Sequence, residues 1–356
     1  MKKAQIEGVL VITVVIALFC LFSTAAWSSQ EKPIKILFGF IEPPQGPVAR
    51  VMQEWATELE EKTNGRVKVN LSLGGALGGP GEFFHLTSKG ICDAAACIPA
   101  FGGPGLFPMS EMFELPYSIP SGEVASKAMT EWAKKGYLNK EFSAVKLMSV
   151  FGAPSDIIFT KDKPISSMAD LKGLKIWNPM PIKIEMLKRL GAVPVALPPT
   201  DLYSGLQKGV IDGAFCNYMF LFIYKISELV NYSTAGLPSG TVNIASIMNL
   251  RTWNNLPPDI MEIIDGMSDA YSVKYGASFD TAYNLGKATF IEKGGKELEW
   301  KPGELAKAND NLSPIWKKYI EDKEKNGLPA RKATGDFYHI LKDLGVENPA
   351  IGYSPK

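Results

Sequence analysis

Apolar positions along this chain alternate between two periods. Val67 to Leu73 alternates with period two, as a half-buried strand does. Just before it, Val48, Val51, Met52, Trp55 and Leu59 fall on one helical face, and Asn64-Gly65 supplies the stop. Lys35–Phe40 reads as a buried first strand, and the glycine- and proline-rich residues after it as a loop. A short helix over Phe83–Ser88 and a strand over Ile91–Ile98 follow. The rhythm returns from Ala169 to Tyr218: a strand (Leu174–Trp177), a helix with Ile184, Leu187 and Leu190 inward and Gly191 as its stop, a strand (Val193–Leu197), a helix opened by Thr200 or Asp201, and a strand (Val210–Phe215). Strands alternating with helices at this spacing predict a parallel sheet with crossover helices. Between and beyond these blocks, the pattern predicts a helix over Ser121–Lys135 and a strand over Val145–Phe151. It also predicts helices over Asp259–Ser268, Tyr271–Ile291, Leu312–Lys325 and Phe337–Leu344, with Gly286 a weak point.

The two blocks share a signature. Lys89-Gly-Ile-Cys-Asp-Ala-Ala-Ala-Cys97 matches Lys208-Gly-Val-Ile-Asp-Gly-Ala-Phe-Cys216 position by position. Both follow a helix, so Gly90 and Gly209 read as helix stops, and Asp93 and Asp212 as structural strand-edge residues. Two equivalent lobes follow. Ser155–Thr160 crosses into the second and Thr241–Leu250 crosses back. The expected division is lobe I over 31–152, completed by 241–282 and 311–336, and lobe II over 153–240, completed by 283–310. A tail over 337–356 is expected on the outside. This is an α/β chain with a two-lobed binding-protein architecture, a hinge and a cleft. Ligands of open α/β sheets bind beyond the carboxyl ends of the strands. Those ends are Trp177-Asn178, Pro198-Pro199 and Phe215 to Tyr218. The five glycines of Gly74–Gly81 lack a following Lys-Ser/Thr, so they form no phosphate loop; they predict a close-packed turn at the cleft mouth.

Composition narrows the chemistry. The 356 residues carry a net charge of +1, which gives no reason to expect nucleic acid or an anionic membrane as partner. Two histidines, His85 and His339, leave no histidine-rich metal site and no triad near a nucleophile elbow. No cofactor is expected. Residues 1–28 have a basic start, an apolar run (Val9–Phe22) and small residues at a cleavage point, the pattern of an export signal. The mature chain is expected in the periplasm. Its Cys92, Cys97 and Cys216 read as small buried residues, not bridge partners. Export, a cleft and no catalytic constellation together describe a receptor for a small solute.

The stretch Ile165-Ser-Ser-Met-Ala-Asp-Leu-Lys-Gly-Leu-Lys-Ile, with Leu190-Gly-Ala-Val-Pro-Val and Leu202-Tyr-Ser-Gly-Leu-Gln-Lys-Gly-Val-Ile-Asp-Gly-Ala, resembles the solute-binding subunits of tripartite ATP-independent periplasmic (TRAP) transporters. The resemblance spans about Ile34 to Leu328. It implies a monomeric receptor that closes on a small organic solute and delivers it to integral-membrane permease subunits. In that family an arginine usually stands where this chain has Trp177, and pairs with a substrate carboxylate. Asn217 matches the asparagine that lines the cleft. Trp177, with Phe215, Tyr218 and Phe151, therefore predicts an aromatic-lined slot for an aromatic, sulfonated or amine ligand, or an organic acid. Asn178 stands at the same strand end, Glu42 is the candidate cation partner and Arg50 the candidate anion partner. A receptor of an ATP-driven importer, or an exported enzyme using Asp156, Asp201 or Glu42, are the alternative readings.

Overall fold

The computed structural model describes residues 32–103, 105–350 and 353. The expected export segment lies outside them. Two sheets carry the architecture. In the first, β1 (Ile34–Gly39) is central to a parallel trio with β2 (Val67–Ser72) and β3 (Ala94–Cys97), and β10 (Asn243–Asn249) and β4 (Val145–Gly152) add antiparallel strands in the order β2-β1-β3-β10-β4. In the second, β6 (Lys175–Trp177) sits between β7 (Val193–Val195) and β8 (Gly213–Cys216). β5 (Ile157–Thr160), β9 (Tyr232–Thr234) and β11 (Lys296–Leu298) complete the order β11-β9-β5-β8-β6-β7.

The shared signature is a shared structure. Asp93 Oδ2 accepts from the Leu37 N–H of β1 at 2.9 Å, and Asp212 Oδ2 accepts from the Lys175 N–H of β6 at 2.8 Å. Each aspartate extends the parallel ladder by one side-chain bond just before its own strand begins. The two trios then pair alike, Phe38 with Ala94 and Ile176 with Gly213. Gly90 and Gly209 stop the preceding helices in the left-handed region, at φ 73° and 70°.

The helices take the faces that their apolar stripes dictate. Helix α1 (Pro47–Lys62) buries Val48, Val51, Met52, Trp55 and Leu59 as expected. Helix α3 (Gly122–Ala133) starts at Ser121, whose hydroxyl accepts from the Val124 N–H. Residues 258–292 differ from expectation: they form one helix, α9 (Pro258–Glu292), not two. Its buried stripe Ile260, Ile264, Met267, Tyr271, Tyr275, Phe279, Ala282, Gly286 and Phe290 keeps steps of three and four throughout, so nothing interrupts it. Gly286 is a contact point and not a weak one, because a Cβ there would overlap the Tyr218 carbonyl. The tail also differs. Helix α11 (Ala330–Asp343) buries Phe337 and Leu341 completely, and its Ala333 and Thr334 carbonyls accept from Trp132 Nε1 and the Tyr117 hydroxyl. It belongs to the core, since those two aromatic side chains need acceptors once buried.

Two segments connect the sheets side by side. The Thr241 hydroxyl receives the Ala153 N–H at 2.9 Å and donates to the Ala153 carbonyl. The Ser239 hydroxyl does the same for Asp156, accepting at 2.7 Å and donating at 3.1 Å. Side-chain hydroxyls thus replace ladder bonds at the crossing. Among the described residues, Cys92, Cys97 and Cys216 are free and buried, as expected.

Candidate functional site

The strand ends converge on the crossing. At the end of β6, Trp177 is 1% exposed. Its Nε1 donates to the Leu197 carbonyl at 2.9 Å, and its ring meets Phe220 at 5.6 Å. Next to it, Asn178 donates from Nδ2 to the Phe215 carbonyl at 2.7 Å and accepts from the Met180 N–H at 2.8 Å. At the end of β8, Asn217 caps helix α7 (Tyr218–Ile223) by accepting from the Met219 N–H. Its amide reaches the Pro154 carbonyl at 3.3 Å and Asp156 Oδ1 at 3.4 Å. Both asparagines therefore tie strand ends to neighbouring turns through local side-chain bonds.

The other expected residues divide. Phe215 is fully buried beneath the Lys183 ammonium, 5.6 Å from its ring centre. Tyr218 is packed under α9, and its hydroxyl is paired with Ser233 at 2.8 Å and Glu297 at 3.0 Å. Phe151 stacks on Tyr275 at 4.2 Å, so its ring belongs to the packing of β4 against α9. Arg50 is exposed on the first turn of α1. Glu42 is partly buried at the exit of β1. Its Oε2 accepts from the Ala49 N–H at 2.8 Å, which satisfies one open donor of a helix whose own cap residue, Gly46, has no side chain. Burial pushes the Glu42 carboxyl up to about 7 against the pull of the Ala49 and Val48 amides. The glycine loop docks beside it: Gly74 and Gly75, both at φ 75°, bond to the carbonyls of Glu42 and Phe40.

Residues outside the expected set complete the site. The Phe220 and Tyr224 rings stack at 5.5 Å. Tyr224 is pushed up to about 12, chiefly by burial and then by the nearby Glu42 carboxyl and Cys216. A run of rings, Trp177–Phe220–Tyr224, thus leads from the end of β6 to the exit of β1 in the other sheet. The signal was present in the aromatic run Tyr218–Tyr224, with Phe220 and Tyr224 four apart.

On the other side of the crossing lies Lys183, fully buried on helix α5 (Pro181–Arg189). It stands 3.2 Å from Asp156 Oδ2 and donates to the Ser239 carbonyl. Burial raises Asp156, while Lys183 and Asn217 pull it back. Glu114, from a 3-10 turn over Ser110–Glu114, is 1% exposed beside this pair. It is pushed up to about 8 by burial, lowered by Lys183 and raised further by Glu111 and Asp156. Sequence spacing gave no hint of Lys183, because the expected inward face of α5 ran through Ile184 and not its neighbour.

Comparison with known proteins follows the same geometry. Residues 38–323 match the family model DctP, bacterial extracellular solute-binding protein, family 7. The C4-dicarboxylate-binding periplasmic protein DctP of Rhodobacter capsulatus is 28% identical over 231 residues, 64% of this chain and 69% of that protein. A TRAP solute-binding protein from a marine metagenome, specific for aromatic acid ligands and bound to metahydroxyphenylacetate, superimposes with a TM-score of 0.82. It is 25% identical and covers 88% of this chain and 99% of its own. A TRAP solute-binding protein from Rhodoferax ferrireducens T118, in complex with copurified benzoate, gives a TM-score of 0.80 at 26% identity, covering 87% and 98%.

Proposed function

The chain belongs to family 7 of the bacterial extracellular solute-binding proteins, and on that premise we propose that it is a TRAP-type receptor for a small organic acid with an aromatic or otherwise apolar body. The family is one of periplasmic solute receptors, and receptor function requires no turnover of the ligand. Its two sheets, joined by the hydroxyl-tied crossing and by α9, form a hinged frame that closes around a solute. The solute is then handed to integral-membrane permease subunits. The receptor acts as a monomer and reaches the periplasm through its amino-terminal signal.

The observation that carries the ligand class is the ring run Trp177–Phe220–Tyr224 at the strand ends. It offers an apolar wall where ligands of α/β sheets bind. The aromatic acids held by two structural relatives agree with that wall. Asn178 and Asn217 tie down the ends of β6 and β8, while Phe215, Tyr218 and Phe151 are buried in the packing of the two sheets. Arg50 remains at the rim. An amine ligand is disfavoured because Glu42 already serves the α1 amides and sits near half-protonation at neutral pH.

A thermal-shift screen of the purified mature protein tests this. Benzoate, 3-hydroxybenzoate and mandelate are expected to raise the melting temperature with rising concentration, as ligands specific to the folded state do. A response to succinate or to simple amines with none to the aromatic acids would overturn the ligand class.

A further inference from the structure

The polar groups at the crossing are incompletely paired. The Lys183 ammonium carries three N–H groups, and among the described residues it meets two oxygen acceptors, the Ser239 carbonyl and Asp156 Oδ2, with the Phe215 ring centre 5.6 Å away. The turn that bears Glu114 packs against helix α5, Lys183 draws on the Glu114 carboxyl, and among the described residues its buried Oε2 has no hydrogen-bond partner. A spare cationic donor and an orphaned carboxyl oxygen in one buried place are costly unless something joins them.

We propose that Lys183 and Glu114 form the subsite for the acidic head group of the ligand, with Asp156 as the internal counter-ion that holds Lys183 in the empty receptor. This rests on the organic-acid reading above and adds the residues that take the acid. The ligand carboxylate accepts from Lys183 and from the Glu114 carboxyl, which keeps its proton at neutral pH because burial outweighs the pull of Lys183. Asp156 yields part of its hold on Lys183 to the incoming acid. It keeps the Asn217 amide at 3.4 Å as its own partner. The same asparagine caps α7, the helix that bears Phe220 at the ring wall. Head-group subsite and apolar wall are thus tied through one side chain. A cationic ligand is repelled by Lys183, and a neutral alcohol gains no charge-assisted bond.

Calorimetric titration with benzoate, 3-hydroxybenzoate and the neutral analogue benzyl alcohol tests the subsite. In the wild type, both acids bind and the alcohol binds far more weakly. Lys183→Met combined with Asp156→Asn leaves no lone buried charge, so the fold is retained; circular dichroism checks that it is. This double variant is expected to lose affinity for the acids on the order of 100-fold and to bind the alcohol no worse. Asp156→Asn alone removes the competitor for Lys183 and is expected to tighten acid binding. A merely structural ion pair predicts the reverse for that variant, lower stability with no gain in affinity. Acid binding undiminished in the folded double variant overturns the subsite while the organic-acid reading stands. A wild type indifferent to every acid overturns the reading itself, and the subsite with it.

Discussion

The two parallel trios are the same device used twice, and they part company where it matters. In each, an aspartate before the third strand bonds to the first strand's backbone, Asp93 to Leu37 and Asp212 to Lys175. Counting two residues on from those anchors gives Gly39 in one trio and Trp177 in the other. Gly39 has no side chain, and Leu77 and Phe83 press into the space a Cβ would take. Trp177 fills the equivalent place with an indole packed on Phe220. Likewise Ile98 follows β3 where Asn217 follows β8. The shared half of each trio holds the ladder. The differing half lies at the strand ends, where the proposed ligand site is.

Trp177→Ala pushes this comparison hardest. Its ring is fully buried and its N–H is bonded, so truncation is expected to destabilise the protein by about 3–5 kcal/mol. Urea unfolding measures it. A loss below about 1 kcal/mol would mean that the wall is not held in place by this packing.

Next in size is a pH effect carried by three buried carboxyls: Glu114 at the crossing, Glu42 at the exit of β1, and Glu141, which accepts from the Met109 and Ser110 N–H groups. Burial raises Glu114 to about 8, and Glu42 and Glu141 to about 7, from an ordinary value of 4.5. The folded state therefore holds protons that the unfolded chain releases above about pH 4.5. Their stabilising effect is complete below that pH and is lost as pH rises toward 7 to 8. Unfolding midpoints are expected to fall between pH 5 and pH 8, with Glu114→Gln flattening the slope by up to about 1.4 kcal/mol per pH unit. A midpoint that rises over this range would contradict the burial of these carboxyls.

Asp93→Ala and Asp212→Ala measure the shared half directly. Each leaves one strand N–H without its acceptor, at a cost of about 1–3 kcal/mol. Asp93 is expected to cost more, because its second oxygen also accepts from the Thr252 hydroxyl. Equal losses in urea titrations would show that this extra bond contributes nothing. Asn217→Ala gives the smallest change, about 1 kcal/mol from the lost α7 cap. Weaker binding of benzoate at that small cost would mark the asparagine as a ligand contact as well as a cap.

Much of this was legible in one dimension. The period-two and helical stripes located β1, α1, β2 and α3, and the nine-residue match pointed to two equivalent lobes. Glycine stops and the Pro-Pro break placed the turns, because their backbone demands are local. Local signals also misled. The stripe of α9 was cut in two although its steps of three and four never lapse. Helix α11 was set outside although Phe337 and Leu341 mark a buried face.

What the sequence determined by itself was the α/β order, the doubling and the family, since all three are written in spacing and short motifs. Only the tertiary structure decided which side chains meet at the crossing. Lys183, Asp156, Glu114 and Ser239 come from four distant points of the chain, and their encounter depends on how two sheets fold against each other. Their charge states follow from burial, a property of the assembled fold and not of any one segment.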